Sequence, residues 1–209
     1  MKFHDDFKAA LALLPSKEKD KLLWRLIKRD ELLARRLEFE LLVPYDAIDK
    51  RNELAGHIRK GIARYNGGGY RLAEILSQCR RFSGDITRHV YVTKDKVGEI
   101  TLNLILLQEA LALLYRPPFR FSFRVVEKYL TYMMNKLYRT CIMINKLHVD
   151  YHLELEDDAQ KLGKIINTNP DLVKYARTVK FNVDWLIDMD IPEDMDTYYK
   201  TIKQQGLLK

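Results

Sequence analysis

The chain has 209 residues, 47% hydrophobic and 31% charged, with net charge +7. That length and balance suit one globular domain with ample apolar side chain for a core, and they exclude a disordered or fibrous chain. Two cysteines, Cys79 and Cys141, sit in no CxxC or metal-spaced pattern, which fits free thiols in a reducing compartment better than a disulfide framework.

The charge is divided along the chain. Residues 1–149 carry 28 Lys+Arg against 17 Asp+Glu (+11), residues 150–199 carry 5 against 12 (−7), and the last ten residues add three Lys. A basic part followed by an acidic part implies a charged partner or mutual attraction of the two parts. Met1-Lys2-Phe3-His4 runs into acids and the apolar stretch Ala9–Leu14 is short, so neither a signal peptide nor a membrane span is expected, and the reading is a cytoplasmic protein.

Taken in order, Asp5–Leu14 predicts a short helix ended by Pro15. Ser16 is placed to cap a second helix carrying Leu22, Leu23, Leu26 and Ile27, and Asp30 a third, ELLARRLEFELL. The short connections make these three antiparallel neighbours. Asp46 opens a fourth helix that stops at Asn66-Gly67-Gly68-Gly69, since Gly costs roughly 1 kcal/mol against Ala within a helix. Tyr70–Arg81 predicts a fifth, Ser83-Gly84-Asp85 a turn, and the next residues a sixth to about Lys94, although HVYVT also suits an extended piece.

The stretch Val97–Val149 organises the rest, as two helices joined at Pro117-Pro118. Ile, Leu, Ala and Tyr surround the helix axis from Ile100 to Tyr115, the pattern of a helix buried on all sides. Asn103, Gln108 and Glu109 interrupt the run and argue against a membrane. The second helix has two faces. Val126, Leu130, Met133, Leu137, Thr140, Ile144 and Leu147 recur in steps of four and three. Arg120, Arg124, Lys128, Lys136, Arg139 and Lys146 fall roughly opposite, with Tyr132 among them and Glu127 the lone acid in the span. This stripe is the expected contact surface for an anionic partner.

Beyond it, Leu153–Ile166 is helical, Asn169-Pro170 signals another start, and Pro192 opens a last helix ended by Gly206. The expected fold is all-α, an irregular multi-helix bundle or a helix-pair, solenoid-like array of about nine to eleven helices. It forms a single domain over residues 1–209, with the Gly-rich loop 66–69 as the best internal boundary. No residue signature recurs at a fixed period to support an array.

Candidate chemistry is sparse. His148 and His152 are spaced for one helix face, with Glu156 as a third metal ligand, yet Val149 stands where the metalloprotease motif needs Glu. Six acids between Asp184 and Asp196 suit a hard cation, but Pro192 and Glu193 break an EF-hand register from Asp188. Acids at a helix start also have an ordinary electrostatic reason. The loop 66–69 lacks the ending of a P-loop and reads as a linker, with Arg80, Arg81 and Arg88 following it. No nucleophile stands beside a base. The expectation is no cofactor, no metal and no catalytic residue, in a non-enzymatic binding or scaffold protein engaging a protein partner or itself. The alternative is nucleic-acid binding through the basic stripe, and the third reading an enzyme without a recognisable motif. The acids at 184–196 are expected to dock on a basic face.

Overall fold

A computed structural model describes residues 3–42, 46–67, 70–115 and 123–208, with the side chains of Tyr115 and Phe123 left out. Among them are eleven α-helices and no strand. The protein is an all-α multi-helix bundle. The chain divides into two compact units, residues 1–45 with 91–93, and residues 46–90 with 94–209.

The smaller unit holds α1 (Asp5–Leu13), α2 (Ser16–Ile27) and α3 (Glu31–Leu41), in none of which a residue is buried. Local contacts support these helices. Lys8 pairs with Asp5 at 2.8 Å and Arg35 with Glu31 at 2.7 Å, and the Lys19 ammonium donates to the Ala12 carbonyl at 2.8 Å. Asp30 caps α3 by accepting from the Leu33 amide. Ser16 does not cap α2: Pro15 takes the cap position and Ser16 becomes the first helical residue, because the fixed φ of proline leads the chain into the helix one residue earlier.

The larger unit is built round α6 (Lys96–Ala112). Every residue from Leu102 to Gln108 is buried, as all-round apolarity requires. Against α6 pack α4 (Ala47–Ala63), α7 (Phe123–Asn145) and α8 (His152–Asn167). The unit's remaining elements are α5 (Leu72–Thr93) as far as Val90, α9 (Pro170–Thr178), α10 (Asp184–Ile187) and α11 (Met195–Gln204). In turn α10 packs on α8, and α11 on α7. Packing of several non-consecutive helices onto one central helix differs from a stacked array, where each pair meets only its neighbours.

α5 corrects the sequence reading. Ser83-Gly84-Asp85 is no turn, and the helix runs unbroken for 22 residues. Leu72, Ile75, Leu76, Cys79, Phe82, Ile86 and His89 form one continuous buried stripe across that point. Ser83 stays helical by donating to the Cys79 carbonyl one turn back, at 3.0 Å. Lys94, with φ 60°, ends the helix. The helix that starts at Pro170 ends at Thr178, and Trp185 and Ile187 belong to the separate one-turn α10. The Asn169 cap with Pro170 at the first helical position, the Asp46 cap and the Gly206 terminus (φ 71°) are as the sequence reads. The loop residues Gly68 and Gly69 and the junction Pro117-Pro118 lie outside the described residues.

An ion pair fixes the start of α6. Asp95 caps it by accepting from the Gly98 amide at 2.8 Å, and receives two bonds from Arg51 of α4 at 2.8 and 2.7 Å. His89 Nε2 lies 3.3 Å from the same carboxylate. Burial pushes the Asp95 carboxyl up, but the Arg51 guanidinium, the Gly98 amide and His89 outweigh it and hold it below the usual range. A carboxyl lowered on folding contributes stability present above its unfolded pKa, near 4, and lost as pH falls through the folded value. Asp95→Asn should therefore cost about 3 kcal/mol at pH 7 by stranding Arg51. The deficit should shrink below about pH 4; urea titrations at pH 7 and pH 3 measure both.

Two glycines of α4 make a second test. A methyl on Gly61 would meet the Phe82 ring of α5, whereas one on Gly56 meets nothing within 4 Å. Gly61→Ala should cost ~1–3 kcal/mol through overpacking, and Gly56→Ala should gain up to ~1 kcal/mol from helix propensity. Equal melting temperatures for the two variants would contradict the close α4–α5 approach.

Candidate functional site

α7 has a fixed orientation because two sides of it are buried. Leu130, Met133, Leu137, Thr140 and Ile144 are buried along the predicted stripe, and Tyr129, Met134, Tyr138 and Cys141 are buried beside it. Two phenols lock this arrangement: Tyr129 donates to the Ala110 carbonyl of α6 and Tyr138 to the Val179 carbonyl, both at 2.8 Å. The basic side is what remains. It forms the floor of a groove of about 780 Å³ in the larger unit.

Five helices contribute to the groove: Arg80, Ser83, Ile86 and Thr87 from α5, Glu99 and Asn103 from α6, Lys128, Tyr132, Asn135, Lys136 and Arg139 from α7, Tyr175 from α9 and Lys203 from α11. Gly206 and Leu207 follow α11 along its edge. Five cations, Arg80, Lys128, Lys136, Arg139 and Lys203, face it against two acids, Glu99 and Glu127. Of the sequence-predicted stripe, Lys128, Tyr132, Lys136 and Arg139 come together here. Arg124 and Lys146 are exposed but do not line the groove, and Arg120 lies outside the described residues.

The cations differ in environment. Lys128, Arg139, Arg80 and Lys203 are exposed, while Lys136 is partly buried and donates to Ser83 Oγ at 2.9 Å. Burial brings the Lys136 ammonium down to about 8; the neighbouring Cys79 and Glu99 oppose this and Arg139 reinforces it. No salt bridge within 4.0 Å joins Lys136 to a carboxylate among the described residues. Ser83 Oγ also meets the Tyr132 hydroxyl at 2.8 Å, and the Arg80 guanidinium lies over the Tyr132 ring at 5.4 Å. Tyr132 is thus held by its hydroxyl and covered on one face, rather than standing free to stack. Asn135 accepts from the Tyr199 hydroxyl at 2.6 Å, tying α11 to α7.

Asn103 is the polar anomaly. It is buried in α6, donates to the Glu99 carbonyl at 2.8 Å, and its Oδ1 has no hydrogen-bond partner among the described residues. In the sequence Asn103 counts against a membrane span, and an amide in an otherwise apolar helix is also a signal of a site. Arg80 stands out in the sequence only as a base after the loop 66–69, and Ser83 and Lys203 not as site residues, because their faces become shared only through the fold.

The other candidates resolve differently. A 3-10 turn, Val149–Tyr151, separates His148 from α8; His148 pairs with Asp150 at 3.1 Å and His152 Nε2 lies 3.0 Å from the Ile144 carbonyl. The pair does not share a helix face, and no group of three metal-type ligands occurs among the described residues. In the acidic segment Asp196 pairs with Lys200 of its own helix at 2.5 Å and feels Lys146 more weakly. Among the described residues no salt bridge joins residues 184–196 to the stripe. No described helix is long and apolar enough to cross a membrane.

The chain matches none of the protein-family models, curated proteins or solved structures with which it was compared.

A base whose pKa falls on folding destabilises below the folded value, and that cost is relieved as pH rises from there to the unfolded value. For Lys136 the window runs from about 8 to the ordinary 10.5. Lys136→Met should remove this pH dependence. Its stability relative to the parent should be greatest at pH 7 and fall by at least about 1 kcal/mol by pH 10. Parallel denaturant titrations at the two pH values would show no such convergence if the amine were solvated.

Proposed function

We propose that the protein is a non-enzymatic helical binding module and that the groove between α5, α7 and α11 receives an acidic segment of a protein partner. The observation that carries this reading is the convergence of five cations from three helices on one concave surface with only two acids. A volume of about 780 Å³ suits a few residues of extended chain and not a nucleic-acid duplex. Exposed Arg80, Lys128, Arg139 and Lys203 offer carboxylates charge-assisted hydrogen bonds. The arrangement of Tyr132 favours protein over nucleic acid, since its ring face is taken by Arg80.

The test is fluorescence anisotropy with a labelled Glu/Asp-rich decapeptide, a single-stranded oligonucleotide and a short duplex. The peptide should bind, more weakly as salt rises, because screening is strong at a Debye length of about 8 Å. Arg80→Glu with Arg139→Glu should weaken it at least about tenfold, given that hydrogen bonds to charged groups contribute about 1.5–3 kcal/mol each. The melting temperature should change little, as both side chains are exposed. Tight oligonucleotide binding with no peptide binding would transfer the function to nucleic acid.

A further inference from the structure

We infer that Lys136 Nζ is an amine nucleophile that forms a reversible imine with small anionic carbonyl compounds entering the groove. The inference concerns the same groove but does not depend on an acidic peptide being its occupant. Three geometric features carry it. First, the amine is fixed: Nζ lies 2.9 Å from Ser83 Oγ, whose own proton goes to the Cys79 carbonyl at 3.0 Å. Second, it lines an open groove and has no salt bridge to a carboxylate among the described residues, so no ion pair has to be broken before it reacts. Third, exposed Arg80, Arg139 and Lys203 line the same groove and can hold a carboxylate or phosphate while the carbonyl meets the amine. Amines desolvated beside other cations are activated in this way.

The charged and titratable groups that share the groove with Lys136 or act on it are Cys79 and Arg80 from α5, Glu99 from α6, Glu127, Lys128, Tyr132 and Arg139 from α7, Tyr175 from α9 and Lys203 from α11. Burial is the largest influence and leaves the amine half neutral near pH 8, where an exposed lysine is almost wholly charged. The step balances without any redox partner. The Nζ lone pair forms the C–N bond, the carbonyl oxygen takes a proton to give a carbinolamine, and loss of water leaves the imine. The proton that Nζ sheds on attack is the one that the carbonyl oxygen takes, so the step needs no further donor.

Pyridoxal 5′-phosphate is the probe, with borohydride to reduce the imine to a stable secondary amine and peptide mass spectrometry to locate it. At equimolar probe and pH 8, the adduct should fall on Lys136 at least about tenfold above exposed Lys128 and Lys203, as expected from the neutral fraction. Lys136→Arg should lose it while remaining folded by circular dichroism. Arg139→Glu should slow labelling by the phosphate-bearing aldehyde more than by pyridoxal, which lacks the phosphate. Adducts spread evenly over exposed lysines, or an unlabelled Lys136 in the folded protein, would overturn the inference. The peptide-binding reading is untouched by that result, because its own test uses no carbonyl.

Discussion

The burial of α6 on all sides is the constraint from which the larger unit follows. Where no side of the helix faces solvent, as from Leu102 to Gln108, each polar atom must be satisfied from within the protein or left at a cost. At its start this is met by Asp95, which caps the helix and draws Arg51 across from α4. Further along, Gln108 donates to the Asp158 carbonyl of α8 at 2.7 Å, so the same residue that breaks the apolar run ties two helices together. Neighbouring helices must then present apolar stripes to α6, and α4, α7 and α8 do. Close approach needs small residues: Gly163 lets α8 meet Ile187 and Leu186 of α10, where a methyl would lie 2.7 and 3.4 Å away.

The groove is a consequence of that packing. α7 gives one side to α6 and another to the aromatic cluster in which Tyr138 stacks on Tyr199 and meets Phe181 edge-on. The side of α7 that carries Lys128, Lys136 and Arg139 is left between α5 and α11. Proximity of these walls separates Lys136 from the rest of its stripe. It sits deep enough to lose hydration, while Arg139, less than one turn on, remains exposed. One periodic row of like charges thus becomes two kinds of group, a rim of solvated cations and one desolvated amine.

What could be read in the sequence was what local chemistry decides. Asp30, Asp46 and Asn169 cap helices because their side-chain oxygens reach amides two or three residues on, and that reach is independent of the rest of the chain. Gly206 ends α11 because the positive φ there favours glycine, which has no Cβ to clash. The central helix was legible from its all-round apolarity, and the α7 core stripe from its period. Ser83-Gly84-Asp85 misled because turn-forming residues express a weak local preference, which burial of Phe82 and Ile86 on either side overrides. The basic stripe was visible as a row, but not its company. Arg80, Asn103, Tyr175 and Lys203 come from four other helices, separated from α7 by tens of residues, and only the tertiary fold makes them neighbours.

Two features of the groove run against the consistency of the surrounding core. Asn103 holds a buried carbonyl oxygen without a hydrogen-bond partner among the described residues, and Lys136 holds a partly buried amine that donates to the Ser83 hydroxyl and forms no salt bridge among the described residues. Each is destabilising: an unsatisfied buried acceptor costs about 1–3 kcal/mol. A leucine at either position would pack without that cost. Elsewhere in the larger unit the buried polar side chains Gln108 and Asn169 have partners, as do the phenols of Tyr129 and Tyr138. Local rules tend to be broken where a protein has a use for the broken element. That the two exceptions line one groove, on adjoining helices and beneath the same rim of cations, is the strongest physical reason for placing function there and not on the exposed ends of the stripe at Arg124 and Lys146.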